Sequence, residues 1–213
     1  RFFWDGRANS LQEQIDGPIH NPLEMNSNWD DIVVRLSNQA SYRTAFDEHY
    51  DEGITEDTIK DALVTFMMQL NTPDAPFDKY LQGDAGALSV VATLGWKKFQ
   101  SLGCIYCHQG RNVGGNLFQK FGSVESVAAL NADLGRYEHT QDINDKYVYR
   151  VPSVALTAPY FHDGRAASLE QAVLVMAKVQ LGKDLEASTV VELIAFLDSL
   201  TAPKPQILKE LSQ

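Results

Sequence analysis

Cys104-Ile105-Tyr106-Cys107-His108 places two thiols and an imidazole within five residues. Thiols three positions apart can each form a thioether to one porphyrin, and a histidine directly after the second can lie under the iron as its proximal ligand. The spacing points to a covalently attached c-type haem, and so to redox chemistry. Three other readings compete: a thioredoxin-like dithiol, half of a zinc site, and chance. A tetrahedral zinc site needs two more ligands, and the chain has neither a His-x(3–5)-His nor a second cysteine pair to supply them. A dithiol enzyme has no need of the adjoining histidine. Cys104 and Cys107 are also the only cysteines present.

Holding such a ligand requires a core and connecting loops, and the composition supplies both. The 213 residues are 44% apolar, enough for one large or two small domains. No apolar run approaches the roughly 18 residues of a membrane helix, and Arg1-Phe2-Phe3-Trp4-Asp5 does not form a signal peptide. Either an export signal has been removed or the sequence begins inside its gene. A net charge of −10 argues against nucleic acid or anionic membrane as partner. It is compatible with steering a basic protein, and equally with plain solubility. Haem c attachment usually takes place outside the bacterial inner membrane, so the periplasm is the expected compartment.

Residues 4–13 (Trp-Asp-Gly-Arg-Ala-Asn-Ser-Leu-Gln-Glu) and 162–171 (His-Asp-Gly-Arg-Ala-Ala-Ser-Leu-Glu-Gln) share six of ten positions at a constant offset of 162 − 4 = 158. This is a duplication signal. Phe3 and Phe161 precede the two segments, and in each a Ser-x-x-Glu/Gln pair, Ser10 with Glu13 and Ser168 with Gln171, predicts a capping box that opens a helix. A generic turn with a capped helix would not explain the shared Asp-Gly-Arg-Ala. Downstream, residues 54–59 open a helical stretch carrying Leu63, Phe66, Met67 and Leu70, and residues 185–200 carry Val190, Ile194, Leu197 and Leu200 at helical spacing. Asn71-Thr72-Pro73 and Thr201-Ala202-Pro203 stop them. Residues 110–122 and 136–159 read as long irregular connections. His108 precedes His162 by 54 residues, so a first-copy attachment motif would end near 4 − 54 = −50, before Arg1. The expectation is a two-haem protein whose first attachment segment lies outside this sequence. The rival is a first copy that never bound haem.

Four motifs in order, Phe3-Trp4-Asp5-Gly6-Arg7-Ala8, then residues 17–25 (Gly-Pro-Ile-His-Asn-Pro-Leu-Glu-Met), then Cys104 to His108, then residues 157–164 (Thr-Ala-Pro-Tyr-Phe-His-Asp-Gly), closely resemble the bacterial di-haem cytochrome c peroxidase family, which includes the MauG-type enzymes. The resemblance covers essentially the whole chain. It implies a mainly α fold of two duplicated cytochrome c-like haem domains with long loops. Residues 1–80 would be the remainder of an N-terminal peroxidatic domain, and residues 81–213 a C-terminal electron-transfer domain.

The resemblance also implies roles. His108 and Met176 would ligate the iron of the haem held by Cys104 and Cys107, thioether ligation favouring ferrous iron and a high potential. Core packing is the ordinary use of a helical methionine. At the 158 offset Met176 matches Pro18, which cannot ligate iron, as suits a peroxide-binding haem with an open position. Gln14 and Glu24 would lie over that haem, with Glu24 as acid/base; the plain alternative is a solvated carboxylate. Trp4 resembles a tryptophan between the haems, and Thr157 and Pro159 match residues whose carbonyls bind calcium. His162 would line the C-terminal haem space, whereas His20, His49 and His139 read as surface or capping residues. The chain departs from the family between Val151-Pro152-Ser153 and Val154-Ala155-Leu156, where an arginine suited to a haem propionate is missing. The expected function is reduction of hydrogen peroxide to water with electrons from a small cytochrome c or a cupredoxin. One covalent haem is expected in this chain and two in the complete protein, together with calcium. The family is commonly dimeric, so the resemblance is compatible with a homodimer, though no residue pattern marks an interface. The alternatives are a non-enzymatic electron carrier and a MauG-like protein oxidase.

Overall fold

Ser10 and Ser168 each open a helix where the pattern places one. In a computed structural model, which describes residues 1–127, 133–153 and 157–210, the Ser10 side chain accepts the Glu13 amide and that of Ser168 accepts the Gln171 amide. The returning bonds differ from a standard capping box. Glu13 Oε2 accepts the Asn9 amide (2.7 Å) and Gln171 Oε1 accepts the Ala167 amide (2.9 Å), so both side chains reach one residue beyond the cap. The turns before the caps also match: Phe2 N–H donates to the Ala8 carbonyl at 2.8 Å and Tyr160 N–H to that of Ala166 at 2.7 Å. Phe3 and Phe161 take left-handed φ of 63° and 69°.

The chain is mainly helical and forms two compact units, residues 1–3, 8–71 and 205–213 in one, and residues 4–7 and 72–204 in the other. The first contains α1 (Leu11–His20), α2 (Trp29–Ser37), α3 (Ala40–His49), α4 (Glu56–Met68) and a short C-terminal helix, Gln206–Glu210. Ile15, Ile19, Trp29, Ile59 and Val64 make its core, with Asn28 and a Thr55–Thr58 capping box starting α2 and α4. Asp16 receives hydrogen bonds from the buried Trp29 indole (2.8 Å) and from Lys60. Burial opposes ionisation of Asp16, but the Lys60 and Trp29 hydrogen bonds outweigh it and hold its pKa below the usual value. Burial likewise opposes the charge on Lys60, and Asp16 and Glu56 raise its pKa nonetheless.

These shifts fix the sign of a pH dependence. The depressed Asp16 contributes stability above its unfolded pKa near 4, lost as pH falls through its lower folded value. Lys60 contributes below its unfolded pKa and loses the contribution as pH rises through its higher folded one. Asp16→Asn keeps an acceptor for Trp29 and is expected to cost about 0.5–1 kcal/mol at pH 7, because the pair is partly exposed. Urea unfolding at pH 7 and pH 3 should show the difference shrinking at pH 3. A constant difference would mean that packing, not charge, carries the effect.

The second unit contains α5 (Pro76–Leu81), α6 (Val90–Ser101), a 3-10 turn (Cys104–Tyr106), β1 (Phe118–Lys120), α7 (Tyr137–Thr140), β2 (Val148–Arg150), α8 (Leu169–Leu181) and α9 (Ala187–Asp198). α6 and α9 cross in close contact at Gly95, where an added Cβ would lie 1.9 Å from the Glu192 carbonyl oxygen. Phe196, fully buried, packs among Phe77, Trp96 and Phe99 at ring separations of 5.0, 5.2 and 5.0 Å. Through Phe77, α5, which straddles the expected boundary after residue 80, joins this unit. The stretches read as irregular connections hold α7 and an antiparallel pair, β1 with β2, in the register Phe118 to Arg150, Gln119 to Tyr149 and Lys120 to Val148. Three-residue strands carry too little alternation to be seen in sequence. Val154–Leu156, where the chain departs from the family pattern, lie outside the described residues.

Candidate functional site

Within the second unit the helices and the strand pair surround a largely apolar cavity of about 310 Å³, within the size range of small-molecule sites. Gly103, with φ of 95°, ends α6 and turns the chain into the 3-10 turn. Its geometry brings Cys104, Cys107 and His108 to the cavity wall. α8 presents Ala172, Val173, Met176, Ala177 and Gln180 to the same space. This i, i+1, i+4, i+5, i+8 set is one helical face. Leu193 and Leu197 of α9 line it further, as do Gln119 and Tyr149, which the strand register places on one face of the pair.

The two cysteines are free and partly buried. Burial pushes both thiols above their ordinary pKa; for Cys104 its own backbone and Lys183 oppose the shift and Cys107 adds to it. A thioredoxin-like dithiol needs the opposite, a depressed pKa that yields thiolate. The His108 ring is buried beside Phe99, centroids 6.3 Å apart, and its Nδ1 makes no hydrogen bond of normal geometry. Burial pushes its pKa down, while the backbone of Val113 and Pro152 pulls the other way without prevailing. A neutral imidazole is the form that ligates a metal. Among the described residues no cluster of three or more His, Cys, Asp or Glu side chains could hold a metal ion. Two thiols, an imidazole and a thioether on one apolar cavity fit a covalently held haem.

Trp4, Thr157, Pro159 and His162 also line this cavity. His162 is inserted between aromatic neighbours: it stacks on Tyr149 at 4.2 Å and meets the Trp4 ring edge-on at 6.2 Å. Its Nε2 lies 3.7 Å from Asp133 Oδ2. The Tyr149 hydroxyl donates to the Asp133 carbonyl at 3.0 Å, and burial, then the Asp133 charge, raises its pKa. Gln14 and Glu24 belong to the first unit. Gln14 is half-buried on α1 and Glu24 is exposed in the turn after it. Asn21 shapes that turn, its Nδ2 donating to Glu24 Oε1 at 2.7 Å and its Oδ1 accepting the Leu23 amide. His20, His49 and His139 lie in the last turns of α1, α3 and α7. Sequence reading did not reach Tyr149, Asp133 or Arg136, which no motif marks and which meet the site only through the strand pair.

A family model described as "Di-haem cytochrome c peroxidase" matches residues 1–86. The chain is 42% identical over 205 residues to cytochrome c peroxidase Ccp of Escherichia coli (strain K12), covering 93% of this chain and 44% of that protein. It is 40% identical to cytochrome c551 peroxidase of Nitrosomonas europaea (strain ATCC 19718), covering 95% and 62% respectively. The chain belongs to the di-haem cytochrome c peroxidase and MauG-related family. Membership implies haem c as cofactor. The crystal structure of a MauG-like protein associated with microbial copper homeostasis superposes with a TM-score of 0.78 at 25% identity, over 91% of this chain and 69% of that one. The chain spans 44% and 62% of the length of these two curated relatives. Among its described residues no helix is long and apolar enough to cross a membrane.

Proposed function

We propose that this chain is part of a periplasmic di-haem cytochrome c peroxidase. In this reading two electrons from a small cytochrome c or a cupredoxin, with two protons, convert hydrogen peroxide to two molecules of water. The observation that carries the reading is the convergence of Cys104, Cys107, His108 and Met176 on one apolar cavity. Haem, when bound, supplies an iron that exchanges single electrons and a high potential when a thioether is one of its ligands. Cys104 and Cys107 would hold it covalently, and His108 and Met176 would supply nitrogen and sulfur ligands. Trp4 and His162 would line its approach. In the first unit, Glu24 would hold and move the proton needed to split peroxide, and Gln14 would lie over the same haem. Thr157 and Pro159 would offer main-chain carbonyls to calcium. A homodimer is the assembly that family membership favours.

Met176→His is expected to lower the reduction potential of the haem at Cys104 and Cys107 substantially, because imidazole favours ferric iron more than thioether does. The sulfur-to-iron charge-transfer band should disappear with it. An unchanged potential with the band intact would remove Met176 as ligand. It would also leave open the MauG-like alternative, whose members typically carry tyrosine at that position.

A further inference from the structure

We propose that Arg136 is a positioning residue for Trp4, clamping the turn that holds the indole against His162; this rests on the reading of Trp4 as an electron-transfer residue. The backbone of Arg136 is itself anchored, its amide donating to the Val148 carbonyl of β2 at 2.8 Å. From there Nη1 donates to the Asp5 carbonyl at 2.9 Å. The guanidinium sits over the Phe118 ring, 5.0 Å from its centroid, and its Nε faces Asp145 Oδ2 at 3.3 Å. Thr140 fixes that carboxylate with a 2.7 Å hydrogen bond.

The turn being clamped has no room to shift. Gly6 has φ of 71°, and a Cβ there would lie 2.3 Å from the Phe118 ring and 3.0 Å from Arg136 Nη1. The preceding carbonyl, that of Trp4, accepts the Arg150 amide at 2.7 Å. Two successive carbonyls, those of Trp4 and Asp5, are therefore held by donors of β2 and of Arg136. The indole, which branches from the Cα just before the first of them, is 39% exposed, so its side-chain packing alone is a weak restraint. A planar cation with several donors can bind a carbonyl, pair with a carboxylate and lie on a ring at once. That combination is what fixing the backbone next to a part-exposed indole requires.

The test uses the full-length, haem-loaded protein and reads hydrogen exchange at the Arg150 amide, whose acceptor is the Trp4 carbonyl. Arg136→Gln should speed exchange there about ten- to a hundredfold, the effect of losing a hydrogen bond from a charged donor, while α6 and α9 amides stay unchanged. Arg136→Lys, which keeps the cation but not the reach, should fall between wild type and Gln. If the Gln variant does not fold, the Lys variant must still exchange faster than wild type at Arg150. Unchanged exchange, or a rise shared equally by α6 and α9, overturns the assignment. A second arm compares peroxide turnover in the presence of Trp4 and in Trp4→Phe. Arg136→Gln should slow turnover in the first background and add nothing in the second. Faster Arg150 exchange with wild-type turnover in both backgrounds upholds the positioning role and sinks the electron-transfer reading of Trp4.

Discussion

Gly95→Ala is expected to destabilise the second unit by about 3 kcal/mol or more, although helix propensity alone favours alanine over glycine by up to about 1 kcal/mol. The new methyl would lie 1.9 Å from the Glu192 carbonyl oxygen, 2.6 Å from its carbon and 2.9 Å from Phe196 Cβ. None of these is the free end of a side chain, so relief requires α6 and α9 to separate by more than an ångström. Separation would loosen Phe196 from Phe77, Trp96 and Phe99, and overpacking of this kind typically costs about 1–3 kcal/mol, occasionally more. Phe99 also lines the cavity beside His108, so the haem environment should change together with stability. Denaturant unfolding measures the first effect and the haem absorbance spectrum the second. An alanine variant as stable as wild type would mean that the two helices do not cross this closely.

Glu24→Gln in the full-length protein is expected to keep both haems and their spectra yet lose about 10²–10⁴-fold in peroxide turnover, the usual worth of general acid/base help. Glutamine preserves the shape and still offers Asn21 Nδ2 an oxygen, so the turn after α1 should survive and the loss should be chemical. Turnover measured at saturating electron donor separates this from a weakened encounter with the donor. A rate near that of wild type would exclude Glu24 from proton transfer and direct attention to another carrier.

How much of this was legible in sequence differs element by element. The starts of α1 and α8 were readable because a serine three residues before Glu13 or Gln171 has one strong local use, accepting an orphan amide. The periodic apolar residues of α4 and α9 were readable for a similarly local reason. Cys104, Cys107 and His108 could be singled out because the haem-attachment pattern is compressed into five residues. Arg136 shows the opposite case: its partners Asp5, Phe118 and Asp145 are scattered from one end of the chain to the middle, and no short window contains them. β1 and β2 are brief, and their pairing joins residues about thirty apart, so the aromatic stack on His162 could be found only in three dimensions. Gly95 lies inside α6, where glycine is locally unfavourable, and only the passing backbone of Glu192 gives the missing side chain its reason.

Trp4–Arg7 belong with residues 72–204, while the chain on either side of them belongs with the first unit. The consequence is one of modularity. A gene cut between Asn71 and Thr72 would not release the second unit as a self-sufficient cassette, because the Arg150 amide and the Arg136 guanidinium would each arrive without the carbonyl they bind. Chimeras that exchange the C-terminal portion with that of a relative must carry the Trp-Asp-Gly-Arg tetrapeptide from the same parent. Otherwise the two inherited pieces meet across a hydrogen-bonded seam for which neither was selected.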